Sequence, residues 1–197
     1  MFAYPLNRTV PQQDLEAQVV EAVAGALDLE PGEVSLDDSL QADLGAESLD
    51  YLDIAFQLER RYKVEFPRAD LLERAGSYFG EDRLVQNGVI TDFGLRLLRQ
   101  AMPEVEPARL RPGLRATEVA GMFTVQTFAR VLDRLLYAKE QMRRTCEECG
   151  GELGDSEVLP ELVCKGCGRT VPVASGDDVL YQDLLDLDSL TGREAQA

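Results

Sequence analysis

Apolar side chains recur every three or four residues in three segments of the chain, which is the spacing of an amphipathic helix. The first segment is 12–28, the second is 48–62, and the third is 124–144, where Thr124 is placed to cap the helix. Their apolar positions are Leu15, Val19, Ala22, Val23 and Ala26, then Tyr51, Leu52, Ala55, Leu58 and Tyr62, then Phe128, Leu132, Leu135, Ala138 and Met142. The pattern predicts three principal helices.

The segments between these helices are less regular. After Pro31 and Gly32, which end the first helix, aliphatic residues are spaced through a long polar loop and should pin it to the core. These aliphatic residues are Val34, Leu36, Leu40 and Leu44. Phe66-Pro67 closes the second helix, and a short helix is predicted at 68–74.

Residues 75–115 differ in character from the helical segments around them. Asn87-Gly88 separates two short apolar runs, which predicts a β-hairpin. Thr91 or Asp92 should cap a helix that continues through Met102.

The C-terminal part of the chain divides into two segments. Residues 145–174 are Gly-rich and contain short runs that are typical of β-strands, and residues 175–197 are predicted to form an acidic amphipathic tail. Ser175 is placed to cap a helix in this tail. The apolar positions of the tail are Val179, Leu180, Leu184, Leu187 and Leu190.

The composition of the chain excludes several classes of function. The chain has 197 residues, of which 20 are basic and 36 acidic, so its net charge is −16. Such a surface repels nucleic acid and anionic membranes. No apolar run approaches the roughly 18 residues that a transmembrane segment needs, so we expect a cytoplasmic protein. Histidine is absent, which excludes Ser-His and Cys-His catalysis.

Ser48 lies in the stretch DLGAESLD at the predicted start of the second helix. A serine at this place is a good N-cap, and Asp50 in the first turn fits that interpretation. The exposed start of a helix is also suited to a covalent modification. The residues alone leave both interpretations open.

The sequence DLGAESLDYLDIAFQLERRYKVEFP, from Asp43 to Pro67, resembles the acyl carrier proteins. The preceding helix and loop fit the same family, and FTVQTFARVLDRLL resembles its last helix. The resemblance covers residues 12 to about 74 and about 118 to 138. It implies a small helical bundle that carries groups and is not an enzyme.

In that family a serine carries 4′-phosphopantetheine, and the resemblance assigns this attachment to Ser48. The chain would carry acyl intermediates as thioesters in a specialised fatty-acid, lipid or polyketide pathway. Its partners would be a phosphopantetheinyl transferase and acyl-loading and acyl-processing enzymes with basic docking patches. An aminoacyl or peptidyl carrier is an alternative, as is an unmodified interaction scaffold that uses the C-terminal region.

The second helix supplies candidate docking and pocket residues. Glu47, Asp50 and Asp53 surround Ser48 and can meet arginine or lysine on a partner, although a simple solvated face is the alternative. An acyl chain could lie against Leu52, Ala55, Phe56, Leu58, Tyr62 and Phe66. Plain core packing explains these apolar residues equally well.

Two features depart from the family pattern. Glu59-Arg60-Arg61 stands where the family is usually acidic, which suggests different partners. The 75–115 segment is an insert before the last helix, and it either reshapes the acyl pocket or only adds packing.

The four cysteines predict a zinc site. Cys146 and Cys149 form one C-x2-C pair, and Cys164 and Cys167 form a second pair after 14 intervening residues. Four thiolates around Zn2+ form a closed structural site, and the metal stabilises a unit too small to fold on its own core. Disulfides are disfavoured in a cytosolic chain.

The charge of this region argues against nucleic-acid binding by the zinc ribbon. From Thr145 to Ala197 there are 12 acidic and 3 basic residues. A phosphate-binding surface needs the opposite sign. Two possible roles of the zinc ribbon remain: it docks a partner protein, or it simply stabilises the C-terminal region.

The predicted fold class is mainly α: an acyl-carrier-type four-helix bundle with an inserted helical and hairpin segment, plus a small β zinc ribbon. The predicted units are the bundle at 1–74 and 116–144, the insert at 75–115, the zinc ribbon at 145–174 and the tail at 175–197.

Overall fold

The structure is a computed structural model that describes residues 12–68 and 71–183. The described residues are mainly helical, with two small antiparallel sheets. The helices are α1 Gln12–Ala26, α2 Ser48–Tyr62, α3 Leu71–Phe79, α4 Glu81–Leu84, α5 Asp92–Ala101, α6 Ala116–Val119, α7 Val125–Glu140 and α8, which begins at residue 176 and is described to residue 183. The strands are β1 Val85–Gln86, β2 Val89–Ile90, β3 Leu153–Asp155, β4 Glu161–Cys164 and β5 Thr170–Pro172.

The main core lies where α1 packs against α2 and α7. Fully buried aliphatic side chains from all three helices meet there, among them Val19, Ile54 and Leu132. The predicted apolar stripe of α2 is wrong in part, because Ile54 belongs to the core whereas Leu52 is 54% exposed. The helix is rotated so that Ile54, Ala55 and Leu58 face inwards.

The loop that precedes α2 is bound to the residues that enter α7. The amide of Leu40 donates to the carbonyl of Phe123 over 3.0 Å, and the amide of Val125 donates to the carbonyl of Asp38 over 3.1 Å. The Ser39 hydroxyl donates to the Gly121 carbonyl over 2.9 Å. Leu40 is fully buried. This agrees with the prediction that aliphatic residues attach the loop to the core.

The segment predicted as an insert builds hydrophobic clusters of its own. The helix predicted at 68–74 instead runs to Phe79, because Ala75 and Phe79 pack with Leu84 and Leu97. A second cluster is formed by Ile90, Leu95, Leu98, Met102, Val105, Leu110, Leu114, Val119 and Met122. The segment is therefore a folded unit rather than a loop.

The hairpin and the helix predicted within this segment are confirmed. Asn87 and Gly88 have φ angles of 53° and 76°, the signs that a two-residue type I′ turn requires. The turn joins β1 to β2, with Val85 opposite Ile90. Thr91 is the N-cap of α5, because its hydroxyl accepts the amide of Gly94 over 3.1 Å.

The C-terminal region contains the three-stranded sheet and α8. The strands are antiparallel in the order β3-β4-β5. Arg144 donates to Asp155 over 2.8 Å and anchors β3 to the segment after α7. Ser175 accepts the amide of Asp178 over 3.1 Å, as expected for the cap of α8. The predicted apolar positions Leu184, Leu187 and Leu190 lie outside the described residues.

Among the described helices, none has the length and hydropathy that crossing a membrane requires.

Candidate functional site

Ser48 is the first residue of α2, and it is not the cap. Glu47 occupies the N-cap position, where its amide donates to the Asp50 carboxylate over 2.7 Å and its carbonyl oxygen accepts the Asp50 amide over 3.0 Å. The N-cap is therefore Glu47, and the interpretation of Ser48 as the N-cap is wrong. The Ser48 side chain is exposed, and no described residue hydrogen-bonds its hydroxyl.

Ser48 borders a cleft of about 880 Å3. One wall is the first half of α2, and Phe66, Pro67 and Arg68 follow it. The other walls come from the end of α5, the 120–123 turn, α7 and α8. Segments that are distant in sequence therefore meet beside one hydroxyl group.

The predicted pocket residues divide into two groups. Leu52, Ala55 and Phe66 line the cleft. Leu58 is buried in the main core, Tyr62 packs against that core, and Phe56 is 60% exposed on the outer face of α2. The latter three are not among the lining residues, because Leu58 and Tyr62 belong to the second half of the helix and Phe56 faces outwards.

Both ends of α2 carry charge, and several of these charged groups are already paired. Asp53 is exposed and accepts the Gln57 amide over 3.1 Å, whereas Glu47 and Asp50 form the cap. At the other end Glu59 binds Arg68 over 2.9 Å and also accepts the amide of Phe66. Glu59 therefore fixes the chain that forms one edge of the cleft.

A polar network that sequence reasoning missed joins the insert to α7 beside the cleft. The nearly buried carboxylate of Glu104 binds Arg130 over 2.9 Å and accepts the Thr127 hydroxyl over 2.8 Å. Glu104 and Arg130 are 26 positions apart, and no periodicity marks Glu104 as a partner of α7. Arg130 and Thr127 both line the cleft.

The four cysteine sulfur atoms converge, each within 4.8 Å of the others. The Cys146 and Cys167 sulfurs are 3.8 Å apart, and those of Cys149 and Cys164 are 3.4 Å apart. A tetrahedral zinc site with bonds of about 2.3 Å needs sulfur separations of about 3.8 Å. The four thiols therefore fit Zn2+, and none of them forms a disulfide.

The two turns that hold these cysteines are alike. Gly151 donates its amide to the Cys149 sulfur and Gly166 to the Cys164 sulfur, each over 3.4 Å. Gly150 and Gly168 have φ angles of 71° and 76°, which let each turn close around its sulfur atoms. Backbone amides that point at sulfur stabilise thiolate charge.

Thiol acidity supports the same interpretation. Backbone hydrogen bonds from Cys167 and then Gly166 lower the pKa of Cys164 to about 6. Gly151 also donates to Cys149, but the hydrogen bonds of Cys149 with Cys164 and Cys167 outweigh that donation and raise its pKa to about 12. The backbone amides of this turn therefore favour thiolate charge at Cys164.

Comparisons with known proteins add family information. A family model described as "Phosphopantetheine attachment site" matches residues 17–77. The protein is similar to an acyl carrier protein of Prochlorococcus marinus (strain MIT 9515), with 38% identity over 56 residues. That match covers 28% of this chain and 70% of the relative. No solved structure matches the chain.

Proposed function

The chain belongs to the acyl carrier protein family, a family of carriers rather than enzymes, and we propose that it carries acyl groups as thioesters on 4′-phosphopantetheine attached to Ser48. Ser48 lies inside the matched range and opens the acidic helix α2. The observation that carries the proposal is an exposed hydroxyl, without a hydrogen bond from any described residue, at the edge of a large cleft.

The surroundings of Ser48 fit such a group. The arm would supply a distal thiol, which holds an acyl group as a thioester. The hydroxyl is accessible to a transferase because the cap interaction belongs to Glu47 and Asp50 rather than to Ser48. The cleft beside it is lined mainly by apolar side chains and can take an acyl chain out of water.

Partner enzymes would dock on the start of α2. Glu47 and Asp53 are exposed there, and Asp50 is partly exposed beside them. Basic patches on a phosphopantetheinyl transferase or on an acyl-processing enzyme would match this charge and speed encounter. Leu49 is 76% exposed on the same surface and offers an apolar contact at its centre.

The four cysteines would bind one structural Zn2+. With four protein ligands the metal keeps no open position for a substrate. Its role is to stabilise a small sheet whose hydrophobic cluster contains two of the cysteines, Cys146 and Cys164, besides Leu153 and Leu162.

The pathway is proposed to be a specialised fatty-acid, lipid or polyketide pathway in the cytoplasm. The reason is that part of the cleft wall comes from residues 100–102, within the insert, and from α8, and both lie outside the matched range. Because these additional residues shape the cleft, we expect the carrier to accept a particular acyl group and to work with partner enzymes that handle that group.

Intact-mass spectrometry tests the attachment. The chain is incubated with a broad-specificity phosphopantetheinyl transferase and coenzyme A, beside Ser48→Ala as the matched control. We expect the wild type alone to gain the mass of one phosphopantetheine. If neither protein gains mass while both remain folded, the carrier assignment is overturned and an unmodified scaffold is the better account.

A further inference from the structure

The helix α8 contributes Leu180 and Asp183 to the cleft that Ser48 borders. We propose that α8 is a fixed wall of the acyl-binding cleft and that Leu180 limits the length of the acyl chain that the cleft accepts. This inference rests on the proposed function, and it concerns a segment about 100 residues beyond the matched range.

The start of α8 lies directly on the chain that follows α2. Gly176 packs against the backbone at 65–67, and a Cβ atom at this position would lie 2.6 Å from the Glu65 carbonyl oxygen and closer still to Pro67. Only glycine fits without a shift of the backbone. Asp177 accepts the amide of Arg68 over 3.0 Å, which fixes α8 to one edge of the cleft.

Two further contacts hold the helix along its length. Arg74 of α3 forms an ion pair with the Asp177 side chain and donates to its carbonyl over 2.9 Å. Arg134 of α7 binds Asp183 over 2.7 Å, and both side chains are largely buried. Val179 is buried in the main core. Leu180 thus lies between two anchored residues, Asp177 and Asp183, and cannot easily withdraw.

The chemistry of the lining indicates the kind of cargo. Met102, Phe123, Val131 and Leu180 give the walls an apolar surface. The charged groups Arg130 and Asp183 are already engaged with Glu104 and Arg134. An anionic acyl terminus would have to displace one of these pairs, so the cleft suits an uncharged acyl chain.

The test loads the full chain with butyryl, octanoyl and palmitoyl groups from the corresponding acyl-coenzyme A esters and a phosphopantetheinyl transferase. Thioester cleavage by hydroxylamine is then timed by mass spectrometry. Each methylene group that enters the cleft should slow cleavage by up to about fourfold. This effect should stop at the limit, which is the longest acyl chain that the cleft can hold. Leu180→Phe should move this limit to shorter chains, and Leu180→Ala should move it to longer chains.

Matched variants separate the role of α8 from general effects. Leu159→Ala changes an exposed leucine on the zinc-ribbon loop and should leave the limit unchanged. Gly176→Ala should speed cleavage of the palmitoyl form several-fold and leave the butyryl form unaffected. Gly32→Ala, where an added Cβ meets nothing within 4 Å, should have no effect.

The outcomes are distinguishable. If no acyl group is loaded on wild type, the proposed function fails. If all forms load and the limit is the same in wild type, Leu180→Phe and Leu180→Ala, the carrier role stands and the inference about α8 is overturned. Circular dichroism of each variant confirms that its helices are intact.

Discussion

The ammonium group of Lys139 in α7 donates a hydrogen bond of 3.0 Å to the carbonyl oxygen of Tyr62, the last residue of α2. Lys139 is only 8% exposed, and its ammonium lies 3.4 Å from a carboxylate oxygen of Asp155 in β3. A positive charge at a helix C-terminus compensates the unpaired carbonyl groups there. One buried cation thus links α2, α7 and the sheet of the cysteine region.

Replacement of this cation should destabilise the protein. Lys139→Met keeps the length of the side chain and removes the hydrogen bond, so we expect a loss of about 1 to 3 kcal/mol in the free energy of unfolding. Urea unfolding measures it. Lys165→Met, which removes an exposed ion pair with Glu152, should cost well under 1 kcal/mol. Equal losses in the two variants would contradict the linking role of Lys139.

Asp50 and Asp53 should behave differently although both are acidic residues of α2. Asp50→Ala breaks the capping pair and should cost about 1 kcal/mol of stability, besides slowing modification by the transferase. Asp53→Ala should slow modification and leave stability nearly unchanged. Urea unfolding and modification rates at low and high salt check both expectations. A stable Asp50→Ala protein would show that the cap contributes little.

Gly94 should tolerate no side chain. A Cβ atom there would lie 2.7 Å from the Leu84 carbonyl oxygen and 2.8 Å from the Ile90 side chain. Gly94→Ala should therefore lower the free energy of unfolding by about 1 to 3 kcal/mol. Gly25→Ala is the control, because this exposed position in α1 has room and alanine favours helix. That variant should be as stable as wild type or more stable.

Metal analysis should find one zinc ion per chain. Removal of the metal with a strong chelator should abolish hydrogen-exchange protection in β3, β4 and β5, and leave α1 and the first half of α2 protected. Cys149→Ser should lower zinc content in the same way. Ser156→Ala, in the turn after β3, should keep its zinc. Unchanged protection after complete metal removal would show that the sheet is stable without the ion.

The local elements of the fold were predictable, because their signals are carried by neighbouring residues. The ends of α2, the Asn87-Gly88 turn and the Thr91 cap all follow from short-range rules. The rotation of α2 was mispredicted, since Ile54 and Leu52 are equally apolar and only packing against α1 and α7 selects the buried one.

The cleft could not be predicted as a whole. Its walls depend on contacts such as those of Arg74 with Asp177 and of Gly176 with the chain near Pro67, more than 100 positions apart. The sequence around an arginine, an aspartate or a glycine does not identify the distant residue that it contacts in the fold. The zinc site was predictable because the spacing of its ligands is itself the signal.

The hydrophobic cluster that runs from Ile90 to Met122 also bears on the order of folding. The main bundle cannot close until α7 reaches α1, and about 100 residues separate the two helices along the chain. A flexible connection of that length would impose an entropic cost on closure and slow it. Much of this connection can condense around its own cluster first, and the 121–125 segment that leaves it hydrogen-bonds with the loop at 38–40, so the effective length of the connection is much shorter. We therefore expect the inserted segment to fold early and to deliver α7 to the bundle.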